Sequence, residues 1–342
     1  MTYPYEKVKL EKEMYGQSGR SFTKTLEALD PSEAYRGTAL EGLDAFQRQL
    51  KRFDIHAIGA GSDRVEKFFH TTESSVLFPE YVSRVVKQGL ESDLLPEITA
   101  TTTVIDGMDY RTIASVPTDD DRALCRVEEG ASIPTTTIRT QENLVQLHKR
   151  GRMLVASYEA IRFQRLDLFN VTLRQIGAYI AKMHLQDAVD VLINGDGNNN
   201  AADSFAIGTS PISGTSGTLS YAALLDFWAQ FDPYTMNVLL APNDVMLAML
   251  KLSEFQNPLT GLNFQGTGTL TNPMGAKLLR TSAVPSGKLI GLDKGYALEH
   301  VCAGEVCVEY DKLIDRQLER AAITSISGFA KPYQEASKLL TV

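Results

Sequence analysis

The longest periodic pattern runs through the middle of the chain. Phe169, Leu173, Ile176, Ile180 and Met183 recur at 4-3-4-3 spacing, and Ala188, Val191 and Leu192 extend the same face. This period predicts one helix over residues 166–192, about 40 Å long. Asn194 and Gly195 supply its stop. Nearer the start, Leu43, Phe46, Leu50 and Phe53 at 3-4-3 spacing predict one amphipathic helix, and "IGAGSDR" at residues 58–64 then breaks the pattern. "FPEYVSRVVKQG" at residues 78–89 predicts a short helix, with Pro79 near its first position and Gly89 as its stop.

The period changes over residues 98–156. "ITATTTVIDGMDYRTIASV" and "ASIPTTTIRTQENLVQLHKRGRMLVAS" are rich in Thr, Val and Ile, as extended chain prefers, and the polar "PTDDDRALCRVEEG" lies between them. Two long strands with a polar tip predict an extended β-hairpin. Its apolar content is too low for a core of its own, so such an arm needs a neighbour to lie on. After a Ser/Gly/Thr loop at residues 208–219 an α/β pattern begins. Ser220 is an N-cap for "YAALLDFWAQF", "NVLLAP" is a short buried strand, and Asn243 or Asp244 caps "VMLAMLKL". "GKLIGLD", "EVCVEYD" (where Val306, Val308 and Tyr310 alternate with other residues) and "LERAAITSISGFAKP" read as strands.

Composition narrows the class. With 342 residues, 43% of them apolar, the chain can bury a real core in about two domains. No run approaches the roughly 18 apolar residues of a membrane span. The charged start lacks an apolar signal core, which argues against secretion. Three cysteines, Cys125, Cys302 and Cys307, are too few and odd in number for a disulfide framework and fit a reducing cytoplasm. A net charge of −8 implies that any contact with nucleic acid is loose.

The richest candidate for chemistry is "VLINGDGNNNAADSF" at residues 191–205. A calcium loop needs oxygen ligands at positions 1, 3 and 5, Gly at 6 and Glu at 12. Counting from Asn194 puts Asn199 and Phe205 at the last two; counting from Asp196 puts Ala201 and Ile207 there. Both registers fail, and a helix cap followed by a turn is the simpler reading. "GAGSDR" lacks the third Gly of a dinucleotide fingerprint and has no strand before it. Ser21 and Lys24 form an S-x-x-K pair without partner motifs. None of His56, His70, His148, His184 and His300 is paired at metal spacing, and His184 reads as a packed or rim residue of the long helix rather than a ligand. Asp119, Asp120, Asp121, Glu128 and Glu129 fall at the arm tip, solvated or docked on a basic neighbour. No catalytic constellation emerges, and the pattern implies neither enzyme nor cofactor.

The order of these elements resembles the major capsid proteins of tailed bacteriophages, the Hong Kong 97-like fold, over residues 76–335. "LINGDG" at residues 192–197 is similar to the "LLNGDG" with which that family ends its spine helix. "EEGASIP" at residues 128–134 is similar to the returning strand of its E-loop, and "SYEAI" at residues 157–161 to the start of its spine. "NVLLAPNDVMLAML" and "MGAKLLRTSAVPSGKLIGLD" resemble strands and a helix of its axial domain. The resemblance implies an α+β chain: an N-terminal arm with an amphipathic helix (1–75), the start of a peripheral domain (76–100), an E-loop hairpin (101–150), the peripheral domain with its spine helix (151–215), an axial domain (216–305), and a return strand with the C-terminus (306–342). The N-arm, survivor of a segment that many relatives lose to a protease, would pack on the shell or a neighbour.

The function implied is self-assembly, as hexamers and pentamers, into an icosahedral shell around double-stranded DNA, formed in the bacterial host cytoplasm. Portal, scaffolding and decoration proteins are the implied partners, the DNA is loosely held, and no membrane is involved. Asp119, Asp120, Asp121, Arg122, Glu128 and Glu129 are the expected inter-subunit contacts. Some members weld their shells with Lys–Asn bonds from an E-loop lysine, but residues 101–148 contain no Lys, which implies a shell without such bonds. An encapsulin-like compartment holding cargo enzymes is the alternative, and a metal enzyme built on "NGDGNNN" a more distant one.

Overall fold

The computed structural model describes residues 4–15, 21–59, 61–90, 94–114, 126–127, 129, 139–257, 259, 272–304 and 306–342. The chain divides into two compact units, one built from Met1–Ser92, Arg150–Ile180 and Val306–Ser325, the other from Asp93–Lys149, Ala181–Glu305 and Ile326–Val342. The predicted long helix is present and runs Leu166–Asn194, 29 residues. Its first half belongs to the first unit and its second half to the other.

The first unit is built on helices. Phe68, Leu77, Tyr81, Val82 and Val86 meet Leu166, Leu173, Ile176 and Ile180 of the long helix in one apolar core. The N-terminal segment joins that core. It holds the α-helix Phe22–Leu29, which the period does not announce, beside the expected one at Ala45–Arg52, and Phe22, Leu26 and Phe46 are buried among the same residues. The second helix therefore packs within its own chain. Ser21, half of the S-x-x-K match, caps the first helix by accepting from the Lys24 N–H at 3.4 Å.

Arg48 of the second helix is fully buried. Its guanidinium donates from Nε to Asp30 at 2.6 Å and onward to the Asp30 carbonyl, Ser32 and the Leu43 carbonyl, and it lies 4.3 Å over the Tyr35 ring. A buried charge is tolerated when its donors are matched in this way.

Gly89 does not stop its helix. The helix runs Leu77–Leu90, and Gly89 sits against the long helix at Gly177. A Cβ on Gly89 would stand 2.3 Å from the Arg174 carbonyl oxygen, and one on Gly177 would stand 2.2 Å from that of Val86. The two glycines let the backbones touch, a packing role that no periodicity announces. Strands β10 (Cys307–Leu313) and β11 (Leu318–Ala330) pair antiparallel from Cys307↔Thr324 to Leu313↔Leu318, and β4 (Leu147–Ser157) also pairs with β11.

The second unit holds a sheet in the order β5 (Asp203–Ala206), β12 (Ser337–Thr341), β8 (Lys288–Leu292), β6 (Val238–Ala241) and β7 (Lys277–Arg280). Alternate residues of β6 enter two apolar clusters. Leu239 and Ala241 pack with the Tyr221–Trp228 and Asn243–Leu250 helices, and Val238 and Leu240 with Leu185, Ala188, Val189 and Leu192 of the long helix. Covering both faces explains why "NVLLAP" is apolar without alternation.

Ser220 caps its helix as expected, accepting from the Ala223 N–H at 3.2 Å. Asn243 and Asp244 do not cap theirs: the N-cap is Pro242, and the Asp244 carboxylate accepts instead from Ser286 Oγ at 2.5 Å and the Gly287 N–H at 2.9 Å, which ties the helix start to the turn before β8.

The predicted hairpin is corrected at both ends: Leu147–Ser157 of its returning limb is β4, which pairs with β11. β1 (Thr101–Ile105) is not part of it: β1 pairs parallel with β9 (Glu299–Ala303), and Ser327–Ala330 of β11 lines the other side of β9. The hairpin itself is seen as β2 (Ile113–Ala114) against β3 (Arg139–Thr140), in antiparallel register Ile113↔Thr140.

Replacing Gly177 by Ala should lower the stability of the first unit by about 1–3 kcal/mol, because the new methyl meets backbone rather than a yielding side chain. Thermal or urea unfolding measures this, and an unchanged midpoint would contradict the packing described.

Candidate functional site: the anchored base of the arm

At the end of the long helix, Gly195 takes φ +83° and Gly197 φ +92°, so the chain reverses at once. Asp196 turns inward and is buried. One carboxylate oxygen accepts from the Lys331 N–H at 2.9 Å, and the other from Asn198, through its N–H at 3.2 Å and its amide at 3.0 Å. Asn200 is buried too: it accepts from the Asp196 N–H at 3.0 Å and donates to the Lys331 carbonyl at 2.9 Å. The loop thus spends its carboxylate and amides on groups of its own chain, most of them backbone. Among the described residues, no group of three His, Cys, Asp or Glu is placed to hold a metal ion.

The same loop grips the segment leaving β3. Asn198 donates to Gln141 Oε1 at 2.8 Å, and Gln141 donates to the Lys331 carbonyl at 3.3 Å. Asn143 donates from its N–H to Asn198 at 2.9 Å and from its amide to the Gly197 carbonyl at 2.7 Å. Lys331 is fully buried and reaches the Leu192 carbonyl at 3.3 Å, in the last turn of the long helix, where a positive charge is favoured. Burial pulls its ammonium down to about 8, against the opposing pull of Asp203 and Asp196.

A second buried carboxylate holds the other limb. Glu299, on β9, accepts from Thr103 at 2.6 Å, Tyr110 at 2.7 Å and Thr112 at 2.5 Å. Burial, followed by the hydrogen bond to Glu299, raises the Tyr110 phenol. Backbone bonds close the gap between the limbs, from the Gln141 N–H to the Thr112 carbonyl and from the Val145 N–H to the Tyr110 carbonyl, both 2.9 Å. Both ends of the segment between β2 and β3 are therefore fixed by matched buried polar groups.

Close to Glu299 in the chain, His300 stacks on Phe329 with ring centroids 4.9 Å apart, and lies 6.3 Å from the buried His184 ring. Burial, and then the charge of His184, push the His300 imidazole down to about 4. His184 is a packed residue, as its place in the long helix suggests. Of the expected contact residues, Glu129 is exposed, while Asp119, Asp120, Asp121, Arg122 and Glu128 lie outside the described residues, as does Cys125. The residues that sequence reasoning missed are Gln141, Asn143, Glu299 and Lys331. Only the density of Asn and Asp after the long helix pointed to their site.

Residues 140–307 match a family described as "Phage capsid protein". Over that stretch, just under half of the chain, it is similar to that family. No curated protein matches it. Among solved structures it is similar to the capsid of a native GTA particle, at 16% identity over 72% of this chain and 89% of that one, TM-score 0.54. It is also similar to the capsid of an empty GTA particle, at 15% identity over 73% and 96%, TM-score 0.53. A third likeness is to the capsid of cyanophage P-SCSP1u, at 12% identity over 72% and 86%, TM-score 0.51. These likenesses show the Hong Kong 97-like capsid fold.

The family match and the capsid fold together support a shell-forming structural protein rather than an enzyme. Its conspicuous polar loop serves architecture. Changing Asp196 to Ala would strand the donors of Lys331 and Asn198 at a cost of about 2–4 kcal/mol. Hydrogen–deuterium exchange should then rise at residues 141–145 more than in the first unit; equal protection there would contradict the clamp.

A pH effect follows from His300. The imidazole is neutral in the fold and titrates near 6.5 when unfolded, so the unfolded chain takes up the proton first. The associated stability is fully present above about pH 6.5 and is lost as pH falls toward 4. Unfolding midpoints should fall over that range in the native chain and fall less in His300→Phe; identical acid limbs would contradict the assignment.

Proposed function

We propose that this capsid protein assembles, as hexamers and pentamers, into an icosahedral shell around loosely held double-stranded DNA, in the cytoplasm of a bacterial host. Portal, scaffolding and decoration proteins are its further partners. The observation that supports this most is the anchored arm base: an isolated monomer has no need to hold both ends of a polar 24-residue segment, residues 115–138, on two buried carboxylates. In this reading the segment spans a subunit boundary. A hairpin of that length reaches about 40 Å.

Its sequence carries Asp119, Asp120 and Asp121 together, and they dock on Arg or Lys of the adjacent subunit, with Arg122, Glu128 and Glu129 beside them. An exposed ion pair is worth about 0.2–1 kcal/mol, but a closed shell repeats it in every subunit. The shell is held by interlocked arms, apolar contacts and salt bridges, since residues 101–148 offer no Lys for an isopeptide weld. The net charge of −8 supports loose contact with DNA.

The contents of purified particles test the reading. Nuclease-protected double-stranded DNA is expected, and a folded cargo enzyme in its place would move the protein to the encapsulin-like class. Reversing Asp119, Asp120 and Asp121 to Lys should reduce closed shells seen by negative-stain microscopy. Normal shells from that variant would remove the docking role, and a ladder of cross-linked chains on a denaturing gel would remove the account of shell strength.

A further inference from the structure

Strand β4 carries an unmatched positive charge. His148, Lys149, Arg150 and Arg152 fall within five positions, and no Asp or Glu occurs anywhere in Leu147–Ser157. His148, Lys149 and Arg152 are exposed, and neither Lys149 nor Arg152 has a carboxylate partner among the described residues. On the same sheet Asp311 is already paired with Arg320.

The strand then turns apolar. Met153 and Val155 are each 53% exposed, while Leu154 between them packs against the core of the first unit. Among the described residues β4 pairs with β11 alone, so its other edge has no strand beside it. An open edge offers backbone N–H and C=O groups to an extended segment, and its side chains choose which segment. Here they ask for carboxylates followed by apolar bulk. A phosphate backbone would match the cations but leave Met153 and Val155 in water.

Residues 118–129 have that composition. Asp119, Asp120 and Asp121 are followed by Ala123 and Leu124, and five carboxylates against two arginines leave a net charge of −3, equal and opposite to Lys149, Arg150 and Arg152 together. Val127 and Glu129 of this segment are exposed. Residues 91–97 are also acidic and apolar, but Leu95 is buried in the second unit and Glu97 is paired with Lys277. We propose that β4 receives residues 118–129 of a second copy, with the three aspartates on Lys149 and Arg152 and Leu124 against Met153 and Val155. The proposal rests on the shell-forming reading and names the surface on which its arm tip lies.

Two variants test this: a strand variant with Lys149→Glu and Arg152→Glu, and a tip variant with Asp119→Lys, Asp120→Lys and Asp121→Lys. Thermal unfolding first shows both folded; if the strand variant is not, Lys149→Gln with Arg152→Gln replaces it. Sedimentation velocity across protein concentration gives the concentration of half-assembly. Each variant alone should need about five- to tenfold more protein than the native chain. An equal mixture of the two should recover most of that loss, because each reversed tip then meets a reversed strand on another copy. A strand variant that assembles like the native chain would overturn the seat while leaving the shell reading intact. Recovery in one chain carrying both sets of changes, but not in the mixture, would put the tip on its own subunit and overturn the second copy as occupant. Loss with recovery in neither would give the strand to a different partner, DNA included, and overturn the tip as occupant. A native chain that forms no assembly at any concentration would overturn the self-association reading and the seat with it.

Discussion

Everything around the arm base depends on one constraint: a polar group taken out of water must find its partner inside the protein. Asp196 and Lys331 are both buried, and neither is matched by simple ion pairing alone. Asp196 spends its oxygens on N–H groups, one of them the backbone of Lys331 itself, and the Lys331 ammonium turns to the Leu192 carbonyl in the last turn of the long helix. Because most of these bonds involve backbone, the network fixes main-chain positions, which a contact between two flexible side chains would not do. The end of the long helix, the segment after β3 and the stretch after β11 are held as one piece.

Glu299 repeats the arrangement on the other limb, where three hydroxyls take the place of amides. Apolar packing supplies the stability and these polar clusters supply the register. In the second unit strand β6 is covered on both faces, so its position is set by the hydrophobic effect. The arm base has little such cover, with Val145, Val301 and Ala330 forming only a small cluster. It is held by hydrogen bonds instead, which are directional and lose most when a single partner is removed.

The features legible in the sequence are those whose cause is local. The long helix follows from its 3.6-residue period and ends at Gly195 where expected; the Ser220 cap and the all-apolar β6 follow from a few neighbouring residues. The features that escaped have causes distant in the chain. β1 resembles one limb of a hairpin, yet its parallel partner β9 lies almost two hundred residues later. Gly89 reads as a helix stop because its role depends on Gly177. Asp244 reads as a cap because the donors it serves, Ser286 and Gly287, are not in its own turn. Lys331, in "GFAKPY", carries no mark of the burial that makes it central. The asparagine-rich loop was visible, but its partners Gln141 and Asn143 were not.

The account makes the arm base a fixed platform from which residues 115–138 serve a neighbouring subunit. Cryo-electron microscopy of particles formed by the full chain tests this most directly. The account predicts closed icosahedral shells in which that segment of each subunit rests on an adjacent copy, while the Asp196 and Glu299 clusters keep their bonds. Shells in which the segment folds back over its own subunit, or in which the two clusters come apart, would contradict it.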